Sequence, residues 1–116
     1  VKNKDVGDKG EAIAANFLQK NGFIIIERNW RHKHLEVDII ASESKKLHFV
    51  EVKTRTNTKY GHPEESISQA KMNHLKVAAE AYLFLNPKWE MIQFDVISIM
   101  ITKEKEEIFL IEDVFF

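Results

Sequence analysis

Two apolar runs, residues 35–41 and 47–55, are separated only by Ser42-Glu43-Ser44-Lys45-Lys46, and no other feature constrains the fold as tightly. A connection this short joins neighbouring antiparallel strands and leaves no room for a crossover helix. Centring the turn between Ser44 and Lys45 sets the register. Ile40 then faces Phe49, Asp38 faces Glu51 and Glu36 faces Lys53. Strand side chains alternate faces, so these six share one face, apolar near the turn and charged at the open end. A slip of one residue would separate Asp38 from Glu51, and the matched apolar pairs favour the register given.

Facing carboxylates repel, by roughly 3–4 kcal/mol at ~4–5 Å and an effective dielectric of ~20. Such a pair needs a shared proton, a neighbouring cation or a bound metal. Lys53 offsets part of the repulsion, and a divalent ion would offset more. The chain has no cysteine, so oxygen ligands point to a hard cation, Mg²⁺ or Mn²⁺, rather than zinc. An isolated Glu-x-Lys on a strand reads as a solvated face with a minor ion pair; Asp38 on the adjoining strand is what changes the reading. Glu36 reads as a salt-bridge partner, and His32 and His34 as solvated.

The rest of the chain supplies the layers around this hairpin. Residues 7–21 carry the stripe Ile13, Ala14, Phe17 and Leu18 and stop at Gly22, which predicts a helix. Residues 23–26 predict a first strand, followed by a polar segment over 27–34. Residues 56–63 read as a loop. Ser68 is placed to cap a helix over residues 69–85 that ends before Asn86-Pro87. Residues 89–101 and 107–111 predict two more strands. The expected fold is one α/β domain over residues 1–116, a mixed central sheet flanked by helices in the order α-β-β-β-α-β-β.

Composition narrows the class. An apolar share of 44% and a charged share of 30% are those of an ordinary globular domain. No apolar run approaches the ~18 residues needed to cross a bilayer, and no signal-peptide pattern opens the chain. With the lack of cysteine this sets the expectation of a cytoplasmic protein without membrane contact. The net charge is −1, so nucleic-acid binding has to rest on a local patch rather than on bulk charge. The basic residues do cluster: Arg28, Arg31 and Lys33 after the first strand, Arg55 and Lys59 after the Glu-x-Lys, Lys71 and Lys76 on the second helix. Lys71, in the first helical turn, suits a phosphate. Tyr60 suits stacking on an exposed base, and Trp30 reads equally as a stacking or a core residue.

Several motifs in a fixed order then carry a resemblance. They are Gly7-Asp8-Lys9-Gly10-Glu11-Ala12-Ile13-Ala14, Gly22-Phe23, Arg28-Asn29-Trp30-Arg31 and Glu36-Val37-Asp38-Ile39-Ile40-Ala41. They continue with Phe49-Val50-Glu51-Val52-Lys53-Thr54-Arg55, Tyr60-Gly61-His62-Pro63-Glu64-Glu65, Lys71 and Phe94-Asp95-Val96. The sequence resembles the YraN-type family of predicted endonucleases, related to archaeal Holliday-junction resolvases of the restriction-endonuclease-like, PD-(D/E)xK superfamily. It departs from that pattern at Leu35, where the family usually has glycine. The resemblance implies Asp38 and Glu51 as metal ligands, the Val52 carbonyl as a further ligand, Lys53 as the catalytic lysine and Glu11 as the acidic residue of the first helix.

The expectation that follows is a Mg²⁺- or Mn²⁺-dependent endonuclease acting on branched, flapped or single-stranded DNA. Arg31, Arg55, Tyr60 and Lys71 would contact the nucleic acid. Two other readings fit the same residues: a non-catalytic nucleic-acid-binding module, and a nuclease subunit that depends on a partner. The resolvase resemblance and the apolar end Val114-Phe115-Phe116 add the expectation of a homodimer.

Overall fold

The computed structural model describes residues 3–56 and 68–114. Its elements are α1 (Asn3–Lys20), β1 (Ile24–His32), β2 (Leu35–Glu43), β3 (Lys46–Arg55), α2 (Gln69–Leu85), β4 (Met91–Ile101) and β5 (Glu106–Ile111). The five strands form one sheet in the order β1-β2-β3-β4-β5. All neighbours are antiparallel except β3 and β4, which run parallel because α2 carries the chain back between them. This is the mixed α/β order expected from the sequence.

The β2–β3 ladder runs from Glu43 opposite Lys46 to Ile39 opposite Val50, in the register expected. Ser44 and Lys45 close it with φ of 53° and 65°. Left-handed backbone at both positions is what a two-residue turn needs to match the twist of the strands.

β1 is longer than the sequence suggested. Residues 27–34 do not form a polar connection. β1 continues to His32 and pairs with β2 as far as His32 opposite Leu35. It is an edge strand, so much of it stays solvated and charged residues take the place of an apolar run.

Each face of the sheet has its own core. On one side, Ala14, Ala15 and Leu18 of α1 pack with Ile39, Ala41, Val50, Ile97 and Ile99. On the other, Leu75, Ala78, Ala79 and Tyr82 of α2 pack with Val37, Ile40, Leu47 and Phe49. Trp30 belongs to this second core, edge-on to Tyr82 at 5.3 Å between ring centroids, so its core reading holds. α1 ends at Gly22, whose φ of 89° only glycine adopts at little cost. Phe23 N donates to Leu18 O at 3.0 Å and Gly22 N to Gln19 O at 3.2 Å, the paired bonds of a Schellman stop. Ser68 caps α2, its side chain accepting from Lys71 N at 3.1 Å.

At the turn end of β3 a buried polar network spans the sheet. His48 Nδ1 lies 2.6 Å from Asp95 Oδ2. Gln93 Nε2 and Asp113 N both donate to Asp95 Oδ1, at 2.8 and 3.0 Å. A fully buried carboxylate is tolerable because these partners replace its water.

Gly10 decides how close α1 comes to the sheet. It is buried, and a Cβ there would overlap the side chain of Thr54 on β3. Gly10→Ala is therefore expected to destabilise the domain by about 1–3 kcal/mol, the usual cost of overpacking. Chemical denaturation measures this, and Thr54→Ala in the same chain should restore part of the loss.

Candidate active site

The strand alternation fails at one level of the sheet. On β2, Val37 and Ile40 pack on the α2 side, whereas Ile39 and Ala41 pack on the α1 side. A regular strand would put Val37 with Ile39, so the break falls at Asp38. On β1 the partner level is Asn29, between Arg28 opposite Ile39 and Trp30 opposite Val37, and its φ is 54°. Asparagine tolerates this left-handed backbone better than most residues. The matched irregularity takes Asp38 out of ordinary pairing. Its Oδ2 accepts from Val52 N on β3 at 2.9 Å, as a strand carbonyl otherwise would.

Asp38 and Glu51 are thereby brought together. Burial, then the charge of Glu51 and a hydrogen bond with it, raise the Asp38 carboxyl to about 7. The Val52 N–H and the Lys71 ammonium act in the opposite direction. Lys71, from the first turn of α2, places Nζ 3.5 Å from Glu51 Oε1. Lys53, two residues along β3 from Glu51, is half-buried, and burial followed by the charge of Lys71 lowers its amine. Glu11 reaches toward the same place from α1. Its carboxyl is raised by burial and by Asp38, while a hydrogen bond from Asn29 lowers it. Two carboxylates, a third nearby and two ammonium groups thus surround one end of the β2–β3 pair.

The site opens to solvent through a cleft of ≈ 320 Å³ lined by Glu36, Asp38, Glu51, Ala70, Lys71 and His74. Among the described residues no three His, Cys, Asp or Glu side chains form a ready-made metal cage. The groups that could serve a hard cation are instead the Asp38 and Glu51 carboxylates, with the Val52 carbonyl next in the chain. That fits Mg²⁺ or Mn²⁺ chemistry, in which one or two carboxylates are completed by water and phosphate oxygens. Burial first and the facing Glu51 second push the Asp38 carboxyl up, and a cation between the two would offset the second effect.

The residues singled out from the sequence separate into groups. Asp38, Glu51, Lys53 and Lys71 converge, and Glu11 is close enough to feel Asp38. Arg55 lies farther along β3, half-buried, its Nη1 3.5 Å from the Thr54 carbonyl. Arg31 pairs with Glu36 across β1 and β2 at 3.4 Å. Glu36 is therefore a salt-bridge partner of Arg31 rather than of Lys53, because the β2–β3 ladder stops at Ile39 and Val50. Tyr60 lies outside the described residues. His32 stacks on Trp30 at 6.1 Å, and His34 is exposed. Two site residues escaped the sequence reading. Asn29, which holds Glu11, could have been suspected as a turn-prone residue inside a strand. His74, which lines the cleft, lies three positions after Lys71 on the same helical face.

A protein-family model described as "Uncharacterised protein family UPF0102" matches residues 10–99. The UPF0102 protein of Dictyoglomus thermophilum is 43% identical over 104 residues, covering 89% of this chain and 88% of that protein. That of Syntrophomonas wolfei is 40% identical over 107 residues, covering 91% and 93%. That of Caldicellulosiruptor saccharolyticus is 41% identical over 119 residues, covering 99% and 100%. These relatives match the chain nearly end to end, and their names state no activity.

Proposed function

This chain belongs to the UPF0102 family, and we propose that it is a metal-dependent nuclease domain that hydrolyses phosphodiesters in structured DNA. The observation that carries the reading is the half-buried Asp38–Glu51 pair, held beside Lys53 at the mouth of an open cleft. Two facing carboxylates partly withdrawn from water have a use for a cation, and Asp38, Glu51 and the Val52 carbonyl are the groups that would hold it. A bound Mg²⁺ or Mn²⁺ would polarise a phosphoryl oxygen and acidify an attacking water. Lys53 would orient that water or neutralise charge building on the phosphate, its lowered amine pKa making it readier to hand over a proton. Glu11, held by Asn29, would add negative charge on the α1 side of the pair.

The nucleic acid would meet Lys71, Arg55 and Arg31, which rim the same end of the sheet. With a net charge of −1, affinity comes from a few phosphate contacts, so log K is expected to fall on a shallow slope against log salt. Arg55→Ala and Lys71→Ala should each reduce that slope by about one unit, measured by fluorescence anisotropy with a divalent cation present. An unchanged slope in both variants would put the nucleic acid on another surface. Two copies acting together would double this modest patch on one substrate; light scattering with and without DNA tests that pairing.

Labelled branched, flapped, single-stranded and duplex DNA, with RNA counterparts, incubated with Mg²⁺ or Mn²⁺ test the function directly. Cleavage of a branched or flapped DNA that Lys53→Ala abolishes supports the reading. Tight binding without cleavage under any cation would reduce the chain to a binding module.

A further inference from the structure

The two carboxylates already have a cation of their own. We propose that Lys71 is a tethered counter-cation, an ammonium that takes the divalent ion's electrostatic place on Glu51 in the metal-free protein and gives it up when phosphate arrives. The inference rests on the metal-site reading above and adds a regulation to it.

The geometry supports each part. Lys71 stands on the first turn of α2, where the Ser68 cap fixes its backbone. Its Nζ approaches Glu51 Oε1 to 3.5 Å across the cleft. The Glu51 side chain is 15% exposed and the Lys71 side chain 47%. The carboxylate is therefore held in place while the ammonium can swing into water or onto a ligand. The cleft between them has room for that movement. In the position observed, Lys71 also bears on Lys53 and Asp38: it depresses the Lys53 amine and offsets part of the rise at Asp38. One flexible cation therefore touches Glu51 directly and acts only weakly on Asp38, leaving that pair a place for a stronger cation.

Its competition with a metal follows from charge alone. A divalent ion entering between Asp38 and Glu51 must either displace the ammonium or sit a few ångströms from it, and either costs affinity. A DNA phosphate in the cleft offers Lys71 another partner and releases Glu51. Metal and DNA would then bind cooperatively, each tightening the other by the same factor. The domain would be loaded with its cation mainly when a substrate is in place.

Calorimetric titration of Mn²⁺ alone tests this in four proteins: wild type, Lys71→Met, Lys71→Arg and Lys88→Met. Removing a unit charge beside a divalent ion should tighten Mn²⁺ binding by Lys71→Met about tenfold. Lys71→Arg keeps the charge and should stay within about twofold of wild type. Lys88→Met changes the net charge equally, but Lys88 lies over Trp89 beyond the far end of α2, and it too should stay near wild type. A duplex with blocked ends should tighten Mn²⁺ binding more in wild type than in Lys71→Met, where only direct coordination by phosphate is left to couple the two. Thermal melts confirm that the variants fold, as expected for an exposed side chain. Mn²⁺ binding in wild type that Lys71→Met leaves unchanged or weakens overturns the tethered-cation proposal while sparing the metal site. No Mn²⁺ binding in either protein, with or without DNA, overturns both.

Discussion

Replacing Lys53 by alanine is expected to reduce cleavage by about 10²–10³-fold, the usual cost of removing one preorganised charge from a reacting centre. Lys53 is half-buried at the end of β3 and shares its face with Glu51. Burial and the charges of Lys71 and Arg55 lower its amine, so the group is tuned by its surroundings rather than displayed as a solvated surface lysine. The truncation removes no carboxylate, so Mn²⁺ affinity should be kept or slightly improved. DNA affinity should fall by the loss of one phosphate contact at most. Lys53→Arg should not restore the rate if the amine transfers a proton, because a guanidinium does not release one. Single-turnover cleavage of a labelled branched DNA, with titrations of Mn²⁺ and of uncut DNA, separates these effects. Equal residual cleavage by wild type and Lys53→Ala would remove Lys53 from the chemistry.

Asp38→Asn should make the metal-free domain more stable at neutral and alkaline pH while destroying its hold on a divalent cation. The wild-type carboxyl is raised from 3.8 to about 7, chiefly by burial and secondly by Glu51. A raised carboxyl carries no penalty below the unfolded value, near pH 4, where both states are protonated. The penalty grows as pH rises toward 7 and is complete above it, because the unfolded chain releases the proton freely. At roughly 1.4 kcal/mol per pH unit, a rise from 3.8 to about 7 corresponds to a full effect of about 4–5 kcal/mol. Asparagine keeps an oxygen for Val52 N and gains an N–H for Glu51, so the fold should tolerate it. Urea denaturation from pH 4 to 8 should thus show the two proteins converging near pH 4, separating steadily as pH rises, and reaching their full difference above pH 7, with the variant the more stable. Added Mg²⁺ should close that gap by stabilising wild type alone. If Asp38→Asn instead lowers stability across the range, Asp38 is a structural ion-pair partner.

Much of this site was legible before any coordinates. The five-residue connection and the apolar pairs fixed the β2–β3 register from Glu43–Lys46 to Ile39–Val50, one step short of Asp38 and Glu51. Ser68 and Asn86-Pro87 marked the limits of α2, which runs Gln69–Leu85. These signals are local, and local signals survive because turn length, capping and side-chain periodicity act within a few residues. β1 was underestimated for the opposite reason. An edge strand is stabilised by the partner it pairs with, so its own sequence need not look like a strand. The break in alternation at Asn29 and Asp38 was invisible as well, since a strict period of two places Asp38 squarely on one face.

By itself, the sequence determined the α-β-β-β-α-β-β order, the family, and which acidic and basic side chains are carried at the open end of one hairpin. Only the tertiary structure decided what those side chains are to one another. Gly10 lets α1 approach Thr54, α2 sets Lys71 against Glu51, and Asn29 turns Glu11 toward Asp38. Each of these contacts joins residues from different elements, and their effects depend on burial and on separations of a few ångströms. Charge interactions change severalfold between water and a half-buried cleft, so no pattern along the chain could have told a tuned carboxylate pair from a solvated one.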